Sequence, residues 1–425
     1  MISAVRKIML TKKAPINHIG TPGAMGFGIG ICPAMPNGFS KLTGTTKQGH
    51  DNYGNYQYTD GSIMCWIPAF YYKYGTGANG LGINVVDIKA YAFFTDVAAA
   101  NTYGYALHRA FYNGGAIQPG VFVDKYLCSN NGGIASSIKL GLPLSSAATH
   151  NSFSGLNGTP ANAYYGAISA AKTRGDRFFC NSRFIFSALV LLSLAHGQAS
   201  TSTVPCVWYD AAGVKNFPKG CNNNALGDTN DTALTFVSDG FLNCAKTGSA
   251  NILAKTTHNG QNCGVVDLNG NLWEIQLGMT ADATNYYLLK ESVDIAALTA
   301  GNTLATDAWG ATGIAAQYDS LGATYEALTA SSTTKFIGSA SQVLSEATSG
   351  LARAAAGAGI PLLAGTGGTD LFGNDALYDY RPNELCPLAG GPWYYGSYSG
   401  VWLLGLSDMR GNSNDSVGFR AAYYL

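Results

Sequence analysis

Side chains able to act together are concentrated in two stretches of the chain. Residues 390–422 read GGPWYYGSYSGVWLLGLSDMRGNSNDSVGFRAA. Tyr394, Tyr395 and Tyr398 supply ring faces and hydroxyls. Ser407, Asp408, Asn412, Asn414, Asp415 and Ser416 supply small polar groups, Pro392 and Gly405 would shape the pocket, and Leu403 is a further contact position. A packed strand has no need of that mixture, whereas a recognition surface does: tyrosine brings contact area at low entropic cost, and small polar groups adapt their hydrogen bonds. The second stretch is Gly264–Glu274, GVVDLNGNLWE. Asp267 and Glu274 could form an acid–base pair. The stronger expectation is structural, with Asp267 supporting the Asn269-Gly270 turn and Glu274 paired near the core. Arg420 could bind an anion, but its planar fork also suits backbone carbonyls, which is the role expected for it.

Metal and redox chemistry find little support in the spacing. The cysteines at 32, 65, 128, 180, 206, 221, 244, 263 and 386 form no C-x-x-C pair and no zinc-type cluster with histidine, so free, mostly buried thiols are expected. Disulfides among Cys206, Cys221, Cys244 and Cys263 stay open. The histidines at 18, 50, 108, 150, 196 and 258 show no H-x-x-x-H spacing. No cofactor is expected. Structural calcium stays open, because Asp228, Asn230 and Asp231, or Asp370, Asn374 and Asp375, offer oxygen ligands without EF-hand spacing.

The elements that must position these groups are strands, long loops and a few helices. Met64–Tyr72 and Gly120–Tyr126 read as strands, and Asn269-Gly270 as a tight turn between apolar runs. Helical patterns cover 161–174 and 182–197, the latter with Asn181 or Ser182 as N-cap and Gly197 as C-cap. Its apolar run, Phe184–Ala195, is too short to span a bilayer. Gly26–Gly30 reads as a strand or an extended docking arm rather than a phosphate loop. Residues 200–260 read as loops with short strands, and 292–356 as loops with a short helix.

The order Gly390, Gly391, Trp393, Gly396, Gly400, Val401, Trp402, Leu404, Leu406, Arg410, Asn412, Ser413, Gly418, Phe419, Arg420, Ala421, Ala422 resembles the frame of variable proteins diversified by retroelements. In that family adenines of asparagine codons are randomised. The residue types at Pro392, Tyr394, Tyr395, Tyr398, Leu403, Gly405, Ser407, Asp408, Asn414, Asp415 and Ser416 can all arise that way, whereas Trp393, Trp402 and Met409 cannot. GVVDLNGNLWE resembles the signature of the formylglycine-generating type of C-type lectin fold. The resemblance implies an α+β, loop-rich lectin-like domain over residues 61–425 with a variable region at about 390–422. Asn271, Trp273, Glu274, Trp393, Trp402, Gly418, Phe419 and Arg420 would be its structural frame. Residues 1–60 would form an N-terminal segment for attachment or oligomerisation.

The function implied is ligand binding, as in phage tail-fibre proteins that recognise a protein or glycan receptor on the host surface. Sister tail proteins would be partners, a homotrimer the assembly, and the virion the location. The alternative is a prokaryotic cell-surface variable protein. A third reading, an oxidase of the formylglycine-generating type, lacks its cysteine pair, since no cysteine follows Cys386. The protein is therefore expected not to be an enzyme. Composition agrees with an aromatic, turn-rich binder: 12% of residues are charged, formal net charge is zero, and there are 54 glycines and 25 tyrosines. No basic stripe points to nucleic acid. No secretory signal or membrane insertion is expected from the start of the chain or its apolar runs.

Overall fold

The structure is a computed structural model that describes residues 18–158, 160, 162–209, 218–228, 231–298, 317–322, 334–337, 341–365, 372 and 375–425. Strands and loops dominate, with few helices, in a mixed helix-and-sheet arrangement.

Among the described residues, one six-stranded sheet runs in the order Phe39–Lys41, Asn55–Tyr58, Ile63–Pro68, Gly120–Asp124, Ala421–Tyr423, Phe179–Cys180. Its central strands are apolar on both faces. Met64, Cys65, Trp66 and Ile67 are buried, as are Val121, Phe122 and Val123, so helix and loop layers must cover both sides. The expected strand over Met64–Tyr72 is two strands, Ile63–Pro68 and Phe70–Tyr74, which join different sheets across Ala69.

The helix Arg183–Ala199 is apolar all round, and Arg183 through Gly197 are buried, as such a sequence requires. Ser182 caps it by accepting a hydrogen bond from the Ile185 amide at 3.2 Å. It runs past the expected stop at Gly197 to a cap at Ser200. Gly197 is small for another reason: a Cβ there would lie 2.8 Å from the Trp208 ring. The preceding helix is Ala163–Lys172. No helix among the described residues is long and apolar enough to cross a membrane.

Two sequence expectations need correction. The boundary placed at residue 60 does not separate two units. Phe39–Lys41 and Asn55–Tyr58 belong to the six-stranded sheet, and Asp60 lies 3.3 Å from the buried Arg174 guanidinium. Apolar side chains before residue 60 explain this, since Phe27, Ile29 and Tyr56 are all buried. Gly26–Gly30 is neither strand nor arm but part of a run of turns packed on the long helix, with Phe27 stacked on His196 at 5.4 Å. Residues 1–17, which were also assigned to attachment, lie outside the described residues.

A second sheet carries the chain's C-terminal segment. Its seven strands run Ala364–Gly365, Lys335–Ile337, Ala376–Asp379, Leu404–Leu406, Leu388–Ala389, Trp273–Ile275, Val417–Gly418. The register places Tyr378 beside Gly405, Gly405 beside Leu388, and Leu388 beside Ile275. One face of this sheet therefore carries Phe336, Tyr378, Gly405 and Trp273 side by side.

Candidate functional site

The site is built on a buried electrostatic knot. Arg420 is fully buried and makes a fork-to-fork pair with Glu274, Nε to Oε2 at 2.6 Å and Nη2 to Oε1 at 2.7 Å. Its remaining donors reach the carbonyls of Asp124 at 3.1 Å and Val266 at 2.9 Å. Beside it, Asp124 takes a second fork from Arg174 at 2.6 and 3.1 Å and accepts the Ala421 amide at 2.8 Å. Charges this deep persist only when paired and fully hydrogen-bonded, as these are. The knot fastens Gly418–Ala422 to three other parts of the chain. Both Glu274 and Arg420 thus do what the sequence predicts.

Asp267 does not support the Asn269-Gly270 turn. Its Oδ2 accepts the Gly248 amide at 2.6 Å, while its own backbone sits at φ 57°. Burial raises its pKa to about 6, against the pull of that hydrogen bond and of Arg420. The side chain is spent on holding a loop.

From this base the chain emerges at Gly390 and Gly391, both at positive φ. A Cβ on Gly391 would lie 2.3 Å from the Leu403 side chain, so glycine here is a packing requirement. Asn271 clamps Ala245, accepting its amide at 2.8 Å and donating to its carbonyl at 3.2 Å, and its own carbonyl accepts the Trp393 amide. Trp393 closes a small apolar cluster with Leu127, Cys221, Phe236 and Cys244. Trp402 is held by its amide, which donates to Asp375 at 2.8 Å, and by its ring, which sits edge-on to Phe372. Phe419 meets Phe153 edge-to-face. A Cβ on Gly418 would strike the Leu144 carbonyl at 2.6 Å. Asn271, Trp273, Glu274, Trp393, Trp402, Gly418, Phe419 and Arg420 are all buried, whereas Asn412 and Ser413 of the frame order are exposed.

Above the frame lies a set of rings. Trp393, Tyr394 and Tyr395 follow one another at 5.4 and 5.1 Å, each pair edge-to-face. Tyr395 then stands edge-on to Trp273 at 5.3 Å and contacts Tyr378 at 5.5 Å. Tyr398 contacts Phe336 at 5.6 Å. Each such pair contributes about 0.5–1.5 kcal/mol beyond its buried area, so the rings hold one another in place. Tyr398 is 42% exposed, and Tyr394, Tyr395, Tyr378 and Phe336 are half-buried. Burial raises the pKa of Tyr395, with further contributions from Tyr378, Tyr394 and Asp408, so the phenol stays neutral and able both to donate and to accept.

The polar groups bond to one ring, to one another and to Ser146. The Tyr394 hydroxyl lies 3.2 Å from Ser416 Oγ. Asn412 donates to Asp408 at 3.1 Å. Asn414 accepts Ser416 N and Oγ at 2.9 and 2.8 Å, and its amide donates to Ser146 Oγ at 2.9 Å. Ser407, Asn412 and Asn414 are exposed, and Asp408 and Asp415 half-buried.

Pro392, Leu403, Gly405 and Ser416, also expected as contact positions, are buried and correct that expectation for their side chains. Pro392 bridges to the Asn271 segment. Leu403 fills the space over Gly391. At Gly405 a Cβ would come 3.1 Å from the Trp273 ring, so the glycine makes room for the indole. Ser416 accepts the Trp273 amide with its carbonyl at 2.8 Å. Conversely, Tyr378 and Phe336 belong to the surface and escaped sequence reading. The alternation of Ala376 and Tyr378 in the short strand Ala376–Asp379 was the available signal.

All nine cysteines are free and buried, as expected. Of the oxygen-rich loops considered for calcium, Asp375 is committed to Lys219 and the Trp402 amide, Asp228 to the Lys219 amide, and Asp231 to Lys255. Asn230, Asp370 and Asn374 lie outside the described residues. One group with metal-ligand character does converge, although spacing gave no hint of it: His150, Asp239 and Cys244.

No family model matches the chain, and no curated protein matches it. Among solved structures it is similar to the Major Tropism Determinant M1 variant, at a TM-score of 0.31 and 13% identity over 85% of this chain and 63% of that one. The U1 and I1 variants give TM-scores of 0.29 and 0.28, each at 13% identity with the same coverage. The chain thus spans less than two thirds of the length of the solved proteins it resembles.

Proposed function

We propose that this protein is a ligand-binding protein of the retroelement-diversified kind, built on a lectin-like fold of the formylglycine-generating type and displayed on a phage tail fibre. The observation that carries the reading is the division of residues 390–422 into two populations. Frame residues such as Trp393, Trp402 and Gly418–Ala422 are buried and bonded to the rest of the fold, whereas Tyr394, Tyr395, Tyr398, Ser407, Asp408, Asn412, Asn414 and Asp415 lie half-buried or exposed. A host surface receptor, protein or glycan, would meet the tyrosines as anchors, with the polar loop setting specificity. Binding rather than catalysis is supported by the engagement of Glu274 with Arg420 and of Asp267 with Gly248 in structural contacts. Repetition of the surface on a trimer and a multi-fibre particle would raise modest affinities about a hundredfold or more.

The test is deep sequencing of the gene's 3′ end and its template repeat across a growing population. Substitutions confined to the codons of the accessible positions, and traceable to template adenines, are expected. A uniform sequence with no template would overturn diversification and leave a fixed binding module.

A further inference from the structure

Away from the aromatic face, two loops meet at a buried trio. Asp239 Oδ2 lies 2.9 Å from His150 Nε2 and 3.0 Å from Cys244 Sγ. The three ligand-type atoms all fall within 4.8 Å of one another, and all three residues are buried. Asp239 Oδ1 is occupied elsewhere, accepting the amides of Phe241 and Leu242 at 2.7 Å each, so the carboxylate is fixed with Oδ2 turned toward the other two. The His150 ring is held by stacking on Phe241 at 4.8 Å.

We infer that His150, Asp239 and Cys244 form a binding site for one zinc ion, which ties the two loops together. The donor set, one imidazole nitrogen, one carboxylate oxygen and one thiolate, suits a borderline-soft divalent ion, and a water completes the tetrahedron. Bonds of 2.0–2.3 Å at tetrahedral angles place ligand atoms about 3.3–3.6 Å apart, so Asp239 Oδ2 must draw back from each partner by a few tenths of an ångström, and the His150–Cys244 pair, within 4.8 Å, must settle to the same spacing. On binding, the S–H bond of Cys244 breaks, a zinc–sulfur bond forms, and the proton leaves to buffer. The carboxylate and the new thiolate then balance the two charges of the ion, which a buried site requires.

The site's position gives it a structural task. The loop that carries His150 also carries Ser146, which bonds Ser413 and Asn414. Cys244 packs in the apolar cluster closed by Trp393. A zinc ion here would brace both ends of the display segment from beneath.

The experiment is titration of the chelator-treated full chain with zinc, and separately with cobalt(II), followed by calorimetry and absorption. One equivalent per chain is expected, with a thiolate-to-cobalt charge-transfer band, and with a thermal midpoint that rises with zinc. Cys244→Ser and Asp239→Asn should weaken zinc by more than the roughly 10–100-fold that loss of a supporting residue costs. If either variant fails to fold, the cobalt band of the wild-type chain and its absence in His150→Gln decide the matter. Absence of stoichiometric uptake, or uptake without a thiolate band, would overturn the assignment and leave a hydrogen-bonded trio.

Discussion

Gly418–Ala422 and Ser407–Asp415 are neighbours in one tail and opposites in behaviour. In the first, every residue is buried, and the guanidinium and amides reach strands and loops far away in the sequence. In the second, residues are exposed or half-buried apart from Arg410, and most side-chain bonds stay within the loop or go to Ser146. Arg410 shows how the loop is anchored: it packs over Tyr164 at 4.4 Å, and its amide donates to Glu384 at 2.8 Å. The contrast teaches that tolerance to change here is set by where a side chain's partners lie. Eight residues of sequence separate Arg420, which holds three segments together, from Asn412, whose side chain bonds Asp408 in its own loop.

The sharpest way to break this contrast is at its fixed end. Arg420→Ala strands Glu274 and four carbonyl contacts in the interior and should cost about 3–5 kcal/mol, measured by urea unfolding. A loss below about 1 kcal/mol would mean that the knot is not what holds the tail. Next comes a test of the buried positions assigned to the display set. Leu403→Ala should cost about 2–5 kcal/mol, as core truncations do, if Leu403 packs as described. A surface-like change there would return Leu403 to the contact set.

A smaller effect concerns Asp267. Its folded pKa of about 6 lies above the ordinary value of 3.8, so the folded state holds the extra proton between those values. Stability therefore falls as pH rises through that window, and above it the charged carboxylate is a cost. Asp267→Asn keeps an acceptor for Gly248 and tolerates the positive φ. It should stabilise the protein by about 1–3 kcal/mol at pH 7, with the gain fading toward pH 4. An equal effect at both pH values would remove the charge argument. The smallest changes belong to the open loop: Ser407→Ala and Asn412→Ala should each shift stability by less than about 0.5 kcal/mol, while altering binding to whatever the face recognises.

The sequence discloses those parts of the molecule whose residues depend on local pattern or on a long ordered motif. The Ser182-capped helix follows from an apolar run with a capping residue. A buried, paired Glu274 and a carbonyl-binding Arg420 follow from an acid and an arginine set among apolar residues, but that the two meet each other does not. What stays hidden depends on loops meeting in space. Asp267 reaches Gly248 rather than its own turn. Residues 18–60 enter the sheet because of buried aromatics that read equally well as an arm. His150 meets Asp239 and Cys244 across a stretch with no regular periodicity. Buried Ser416 shares its residue type with exposed Ser407, and only packing tells them apart.

The last strand has a consequence for synthesis. Ala421–Tyr423 sits inside its sheet, pairing with Val123 and Phe122 on one side and with Phe179 and Cys180 on the other. A ribosome delivers those three residues after everything else in the sheet, so both neighbouring strands wait with unpaired edges until translation has read through the codons for 390–416. A reading-frame error anywhere in that stretch would remove the strand as well as the surface. Such a chain could not close its sheet, and folding itself would then act as a proofreader, passing only those copies in which the frame was kept.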